Sequence, residues 1–518
     1  MKIITAREAA HLIPDGCVLA TDGFMGIMVA EEIYTELDHR IQEEGSPKNL
    51  TIFHISGQGD SATDFGLNHF AADGVIKRII GAHWNIIPGV RDLISANKIE
   101  AVNLPQGTIC HMIRDIAAKR PGTITRVGLK TYVDPRIEGG KVNDLTKASS
   151  DEFVELIHID GQEYLRYKPI QLDYCILRGT YADEKGNISF EKEAATLNAT
   201  SLAQAVHNCG GKVIVQVERV AKEGALDPKY VKIPGIYVDY VVVAQPQFSK
   251  QTPAETFNPA YTGQLRVPVS SLEPLKMSAR KIVVRRAAME LIPHAVVNLG
   301  VGMPEGVALV AAEEGLSQHL NLTVEAGPVG GIPAGGQSFG AATNPDAILD
   351  EGYQFDFYDG GGIDVAFLGL AQADQEGNIN VSKFGPRVAG CGGFINITQN
   401  SKKVIFCGTF TAGGAEITVK DGQLVIQKEG SVQKFIPKVD QITFSGEFAR
   451  SIGQPVLYIT ERAVFELRPE GMTLVEIAPG IDLQKDVLDL MGFQPIIAEN
   501  LKTMDSRIFC DEKMNLTL

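Results

Sequence analysis

No two of the seven cysteines are close enough to make a CxxC pair. Cys17, Cys110, Cys175, Cys209, Cys391, Cys407 and Cys510 are spread along the whole chain, which signals neither a zinc site nor a disulfide framework and fits a reducing compartment. Clusters of positive charge are missing too. There are 48 Lys and Arg against 63 Asp and Glu, the net charge is −15 and the basic residues are scattered, so a nucleic acid or an anionic membrane is not the expected partner. No apolar run reaches the ~20 residues of a membrane span. The opening MKIITAREAAHLIPDG has no apolar core and no cleavage site of a signal peptide. A cytoplasmic chain without membrane association is expected. The phosphate-loop pattern GxxxxGK[ST] is absent, and Gly300-Val-Gly-Met-Pro304 lacks the third glycine and the acidic ribose partner of a dinucleotide fingerprint. No ligand spacing for a metal is present.

The composition itself is ordinary: 518 residues, 44% hydrophobic and 21% charged, enough for two or more packed domains. Glycine is abundant, 53 residues where ~7% of a chain is usual, and it clusters at the ends of apolar runs. Cys17–Ala20, Val296–Leu299 and Asp364–Leu368 are such runs, and they read as buried parallel strands feeding tight turns. Helical spacing separates them, as in 279–292. Strand and helix alternate, so the class is α/β.

The chain also repeats itself. Leu12-Ile-Pro14 followed by Gly23 recurs as Leu291-Ile-Pro293 followed by Gly302, and Asn49-Leu-Thr-Ile52 recurs as Asn321-Leu-Thr-Val324. Ala182-Asp-Glu-Lys-Gly-Asn-Ile188 recurs as Ala373-Asp-Gln-Glu-Gly-Asn-Ile379, an offset of 191 that Lys212-Val-Ile214 and Lys403-Val-Ile405 keep. Shared order argues for two related halves. The falling offset places an insertion in the first half around 57–168. A shift to Pro, Gln, Ser and Thr over 245–275 reads as a linker or surface loop. The expected domains are therefore 1–275 and 276–518.

One acid stands apart. Glu325, in Thr323-Val-Glu-Ala-Gly-Pro-Val-Gly-Gly331, ends an apolar run directly before a glycine-rich loop, and within ten residues only His319 offers a neutralising charge. At a strand end it would face the crevice where open α/β sheets bind ligands; the alternative is a helix cap or a partner to a distant cation. The turns at Gly300–Pro304 and at Gly390-Cys-Gly-Gly393 are bare enough to offer backbone N–H groups to a phosphate or an oxyanion, or simply to join strand to helix. His54 and His83 read as pocket or core histidines, Cys391 as structural. Lys383 and Arg387, near the second turn, are either phosphate ligands or solvated.

The run VEAGPVGG closely resembles the active-site segment of family I coenzyme A transferases, and the resemblance covers nearly the whole chain. It is strongest toward acetate and propionate CoA-transferases with both halves in one polypeptide. Gly300–Pro304, Tyr358–Asp364, Gly390–Gly393, Pro105-Gln-Gly-Thr108, Asp22-Gly-Phe24 and Val133-Asp-Pro-Arg136 match family segments; Ala326 departs from the serine of many relatives. The resemblance implies two related open α/β domains of the CoA-transferase (NagB-like) fold with the active site between the halves. It implies Glu325 as nucleophile, Gly390, Gly392, Gly393, Gly300 and Gly302 as oxyanion and CoA contacts, and Gly23, Phe24 and Gln106 as pocket walls. Phe53, opposite Glu325 in the repeat, would be a wall as well. It further implies acyl-CoA and short-chain acids as substrates, CoA as substrate rather than cofactor, no metal, and a homo-oligomer, a tetramer by resemblance. An acyl-CoA hydrolase and a non-catalytic acyl-CoA or sugar-phosphate sensor are the alternatives.

Overall fold

Strand β2 (Val18–Thr21) lies at the centre of a sheet that explains where the first functional residues fall. With β1 (Lys2–Ile4), β3 (Leu50–His54), β4 (Ile76–Gly81), β5 (Glu100–Asn103), β6 (Tyr174–Arg178), β7 (Lys212–Val217) and β8 (Tyr240–Val243) it forms one sheet in the order β1-β8-β7-β6-β2-β3-β4-β5. Every pairing is parallel. Leu19, Ile52, Phe53, Ile79, Ile176 and Val215 are fully or almost fully buried, as apolar strands covered on both faces should be. The chain builds outward from β2 to β5 on one side, then returns to β6 on the other. The switch point, and hence the crevice, is at the carboxyl end of β2, and the next residue is Asp22.

The computed structural model describes residues 1–268 and 274–518. They pack as two units: residues 1–267, 324–356 and 383–396 in the first, and 268–323, 357–382 and 397–518 in the second. Packing therefore divides the chain differently from the sequence boundary near 275. Two segments of the second half, including the one that carries Glu325, belong with the first unit.

In the second unit, β9 (Val296–Leu299), β10 (Asn321–Thr323), β11 (Val365–Gly369), β12 (Val404–Cys407) and β13 (Val456–Ile459) pair in parallel in the order β10-β9-β11-β12-β13. Beyond them lie antiparallel β14 (Ala463–Arg468) and β15 (Gly471–Ile477), then β16 (Ile496–Thr503). Val297, Val365, Phe367, Ile405 and Ile459 make its core with Ile282, Val283 and Val284 of a helix over Ala279–Ala288. The order β10-β9-β11-β12-β13 repeats β3-β2-β6-β7-β8. The shared motif repeats in atomic detail: Asp183 accepts from the N–H of Lys185 and Asn187 and from the Asn187 side chain, and Asp374 accepts the same three bonds from Glu376 and Asn378.

The insertion at 57–168 is not a detached subdomain. It supplies β4, β5 and helix α1 (Gln106–Ala117) to the first unit and adds a small antiparallel sheet of Thr123–Thr125, Gln162–Tyr167 and Val154–Ile159. The stretch 245–267 is irregular but not loose. Gln251 and Thr252 are buried; Gln251 Nε2 donates to Lys192 O and Arg178 Nη1 to Lys250 O. Its polar side chains satisfy backbone groups, so it packs as part of the first unit. Residues 269–273 of the expected linker lie outside the described residues. Among the described residues no helix is long and apolar enough to cross a membrane.

Candidate active site

Glu325 is displayed by a tight turn rather than by a strand end. The Val324 N–H donates to Pro328 O and the Gly327 N–H to Val324 O, and a two-residue ladder then pairs Pro328–Val329 with Ala347–Ile348. Gly327 has φ +122°, and a Cβ there would lie 2.1 Å from Leu349 O. Only glycine closes this turn. Glu325 keeps some contact with solvent, yet burial pushes its carboxyl up to about 7.

Two more acids share its surroundings: Asp22, from the segment 22–24 that resembles a pocket lining, and Glu351, which the sequence reading does not single out. Asp22, at the switch point, accepts from the N–H of Asn198 at 2.9 Å and of Gly23 at 3.1 Å; burial raises it to about 7. Glu351 opens helix α2 (Glu351–Asp359). Its Oε1 meets Gln106 Nε2 and its Oε2 meets Asn198 Nδ2, each at 2.5 Å. Burial, then the charges of Asp22 and Glu325, hold its carboxyl well above the usual carboxylate range. Among the described residues no Lys, Arg or His forms an ion pair with any of the three. Asp350-Glu351 reads in sequence as an acidic pair at a helix start, and Asn198 as one polar residue among small ones. The signal for their roles is tertiary.

Gln106 links this cluster to the glycine turn: its backbone N–H donates to Gly392 O at 3.0 Å. Gly390 has φ +84°, and a Cβ there would meet Ala82 O at 2.5 Å. The Gly392 N–H donates to Ala82 O at 2.8 Å and the Cys391 N–H to Asn103 Oδ1 at 3.0 Å. The Gly392 amide is thus engaged inside the protein. Burial pushes the Cys391 thiol up to about 12, so it is no thiolate. Lys383 Nζ donates to Val142 O and Arg387 Nη2 to Asn85 Oδ1. His54 is a core residue that binds Ser56 O and accepts from Trp84 Nε1, and burial lowers it to about 4.

The strand-to-helix loop after Asp22 carries the expected pocket residues. Phe24 and Ile27 exchange backbone hydrogen bonds, and Met25 and Met28 adopt φ 54° and 64°. Two non-glycine residues in the left-handed region store strain beside the site. The Phe24 ring stands 5.7 Å from that of Phe339, over Gly340, where a Cβ would lie 2.6 Å from Phe24 Cδ1. Gly23 packs on Gln58, with room for no side chain. Phe53 is fully buried in β3.

The first unit therefore joins Glu325, Gly390, Gly392 and Gly393, from the second half of the sequence, with Gly23, Phe24 and Gln106 from the first. Gly300 and Gly302 belong to the second unit: Gly300 follows β9, its N–H on Phe367 O, and Gly302, at φ +88°, accepts from Arg280.

A partly enclosed glutamate with no ion-pair partner among the described residues, held on a parallel α/β repeat, is the kind of nucleophile that acyl transfer uses. The chain belongs to the coenzyme A transferase family. The model of that family matches residues 3–244, and whole-chain relatives extend the match. The chain is 48% identical over 516 residues to the caffeate CoA-transferase of Acetobacterium woodii, covering 99% of this chain and 98% of that one. It is 45% identical over 521 residues to the acetate CoA-transferase YdiF of Escherichia coli O157:H7, covering 100% and 97%. The solved structure of YdiF apoenzyme from that strain superposes with a TM-score of 0.94 at 44% identity, covering 100% and 98%, and its thioester complex with CoA with a TM-score of 0.93.

Proposed function

We propose that the enzyme moves coenzyme A between short-chain acyl-CoA and free carboxylic acids, through a glutamyl-CoA thioester on Glu325. The observation that carries this reading is the state of Glu325. A carboxylate is a weak nucleophile in water; desolvated and unpaired, with its basicity raised to about 7, it is a competent one. The thioester complex solved for the E. coli relative supports the same intermediate here.

In the first half-reaction a Glu325 oxygen attacks the thioester carbonyl, giving an acyl-glutamyl anhydride and CoA thiolate. The thiolate attacks the Glu325 carbonyl of the anhydride, leaving glutamyl-CoA and the free acid as its carboxylate. A second carboxylate attacks glutamyl-CoA, expelling the thiolate, which takes the new acyl group and restores Glu325. No net proton is released and no metal or redox group enters a step. The amides of Gly390 and Gly393 are our candidates for the developing oxyanion, since those of Cys391 and Gly392 are committed elsewhere. Phe24 and Phe339 favour acids of two to four carbons, with acetate and propionate foremost. A cytoplasmic homo-oligomer completes the proposal.

The test is incubation with propionyl-CoA and no acceptor acid. The peptide containing Glu325 should gain the mass of CoA less water, and borohydride should inactivate the enzyme. Addition of acetate should yield acetyl-CoA. Hydrolysis faster than transfer would make it a hydrolase instead, and near-wild-type transfer by Glu325→Ala would refute the nucleophile.

A further inference from the structure

Glu351 is 1% exposed and has no counter-ion among the described residues. Its backbone N–H donates to Leu197 O, and each of its oxygens abuts a carboxamide, Gln106 on one side and Asn198 on the other. The ionisable groups around it are acidic or already engaged. Asp22 lies across Asn198, and Glu325 is within electrostatic reach. Asp350, next in the chain, is taken up by Thr196 and Lys232. Arg114 of α1 passes Gly352 with its guanidinium on Asp356, which also pairs with His111. Three enclosed acids without a cation do not all ionise. The chemistry reserves the charge for Glu325.

We propose that Glu351 works as a neutral acid and is the positioning residue that turns the Gln106 carboxamide into a donor facing the Gly392 turn. The inference rests on Glu325 as nucleophile. An acid that donates its O–H needs an oxygen opposite it, so one neighbouring carboxamide must present its carbonyl. Asn198 is less free to do so, because its side chain also acts on Asp22, to which its backbone N–H donates. Gln106 is the freer of the two. The structure sets the Gln106 Nε2 on Glu351 Oε1 and leaves the Gln106 Oε1 3.7 Å from the point a Cβ on Gly392 would occupy; a neutral Glu351 reverses that carboxamide, so that its Oε1 accepts from Glu351 and its NH2 takes the Gly392 side. There it donates to the oxygen of the group that Glu325 attacks. Burial and the charges of Asp22 and Glu325 favour this protonated form.

The test compares Glu351→Gln, Glu351→Asp and Glu351→Ala with wild type in kcat and KM for propionyl-CoA and acetate across pH, with the Glu325 adduct measured by mass in each. Gln reproduces a neutral acid: its NH2 donates to Gln106 and its oxygen accepts from Asn198. Glu351→Gln should stay within about threefold of wild type at neutral pH, while Asp and Ala should lose about tenfold or more in kcat with little change in KM, the size of one lost oxyanion donor. Glu351→Gln should also hold its rate at alkaline pH where wild type declines as Glu351 ionises. Greater activity in Glu351→Asp than in Glu351→Gln, or a Glu351→Gln profile that superimposes on wild type, would overturn the neutral-acid role while the adduct persists. No adduct in wild type would overturn the Glu325 reading, and this one with it.

Discussion

Asp22 and Glu351 are bridged by a single residue: Asn198 gives its backbone N–H to the first and its side-chain amide to the second. Asn198 is 3% exposed, so its loss strands a buried acceptor instead of handing it to water. Asn198→Ala should therefore destabilise the protein by ~1–3 kcal/mol, read as the shift in urea midpoint at unchanged m-value. Asn208→Ala, which removes an exposed donor to Ala117 O, should shift stability by less than ~0.5 kcal/mol. Equal shifts in the two variants would mean that the bridge carries no special weight.

The elevated carboxyl of Glu325 has consequences for rate and for stability. With the carboxylate of Glu325 as the proposed nucleophile, adduct formation in a single turnover should rise with pH through about 7, and a limb at the ordinary value near 4.5 would contradict the enclosure. For stability the sign is opposite. The folded-state value lies above the unfolded one, so the contribution is fully present below 4.5 and is lost as pH rises through about 7. Across that window the loss is on the order of 3 kcal/mol. Glu325→Gln should be more stable relative to wild type at pH 8 than at pH 5, measured by denaturant titration.

The fold was legible because it is written twice. The offset of 191 between Ala182–Ile188 and Ala373–Ile379 marks two hairpins whose aspartates accept the same bonds. Strand order follows the repeat as well. Glu325 stands out in the sequence because glycines follow it and only His319 lies within ten residues to neutralise it. Packing was not: the segments 324–356 and 383–396 join the first unit through contacts that no local pattern encodes. Glu351 illustrates the cost, since its sequence neighbourhood fits a helix N-terminus and only folding sets it between Gln106 and Asn198. The Gly392 amide shows the converse: a bare turn advertises free donors, and Ala82 O has already taken that one.

Gly390 tests whether the glycine turn must keep its backbone path. At φ +84°, with Ala82 O and His83 Cα within 3 Å of a new Cβ, Gly390→Ala is strained twice over. Transfer should fall by about tenfold or more, and the fall should be in kcat, with CoA affinity by calorimetry changed far less. Wild-type kcat in a folded Gly390→Ala would remove the turn from the catalytic apparatus.

The size of the acyl group should be decided beside Phe24. Its ring lies against Phe339 and over Gly340, whose missing side chain is what lets the ring sit there. Each methylene that fits should add ~0.8 kcal/mol of burial, and one that does not should meet ~1–3 kcal/mol of strain. Across a straight-chain acyl-CoA series with acetate as acceptor, kcat/KM should peak between two and four carbons and fall steeply beyond. Phe24→Ala vacates the space above Gly340, so the hexanoyl-to-propionyl ratio of kcat/KM should rise by about tenfold. The relatives named for acetate and for caffeate bracket the outcomes. A wild type that prefers octanoyl-CoA or a caffeoyl ester over propionyl-CoA would refute the short-chain pocket while leaving Glu325 in place, and a ratio unmoved by Phe24→Ala would put the boundary of the pocket on other residues.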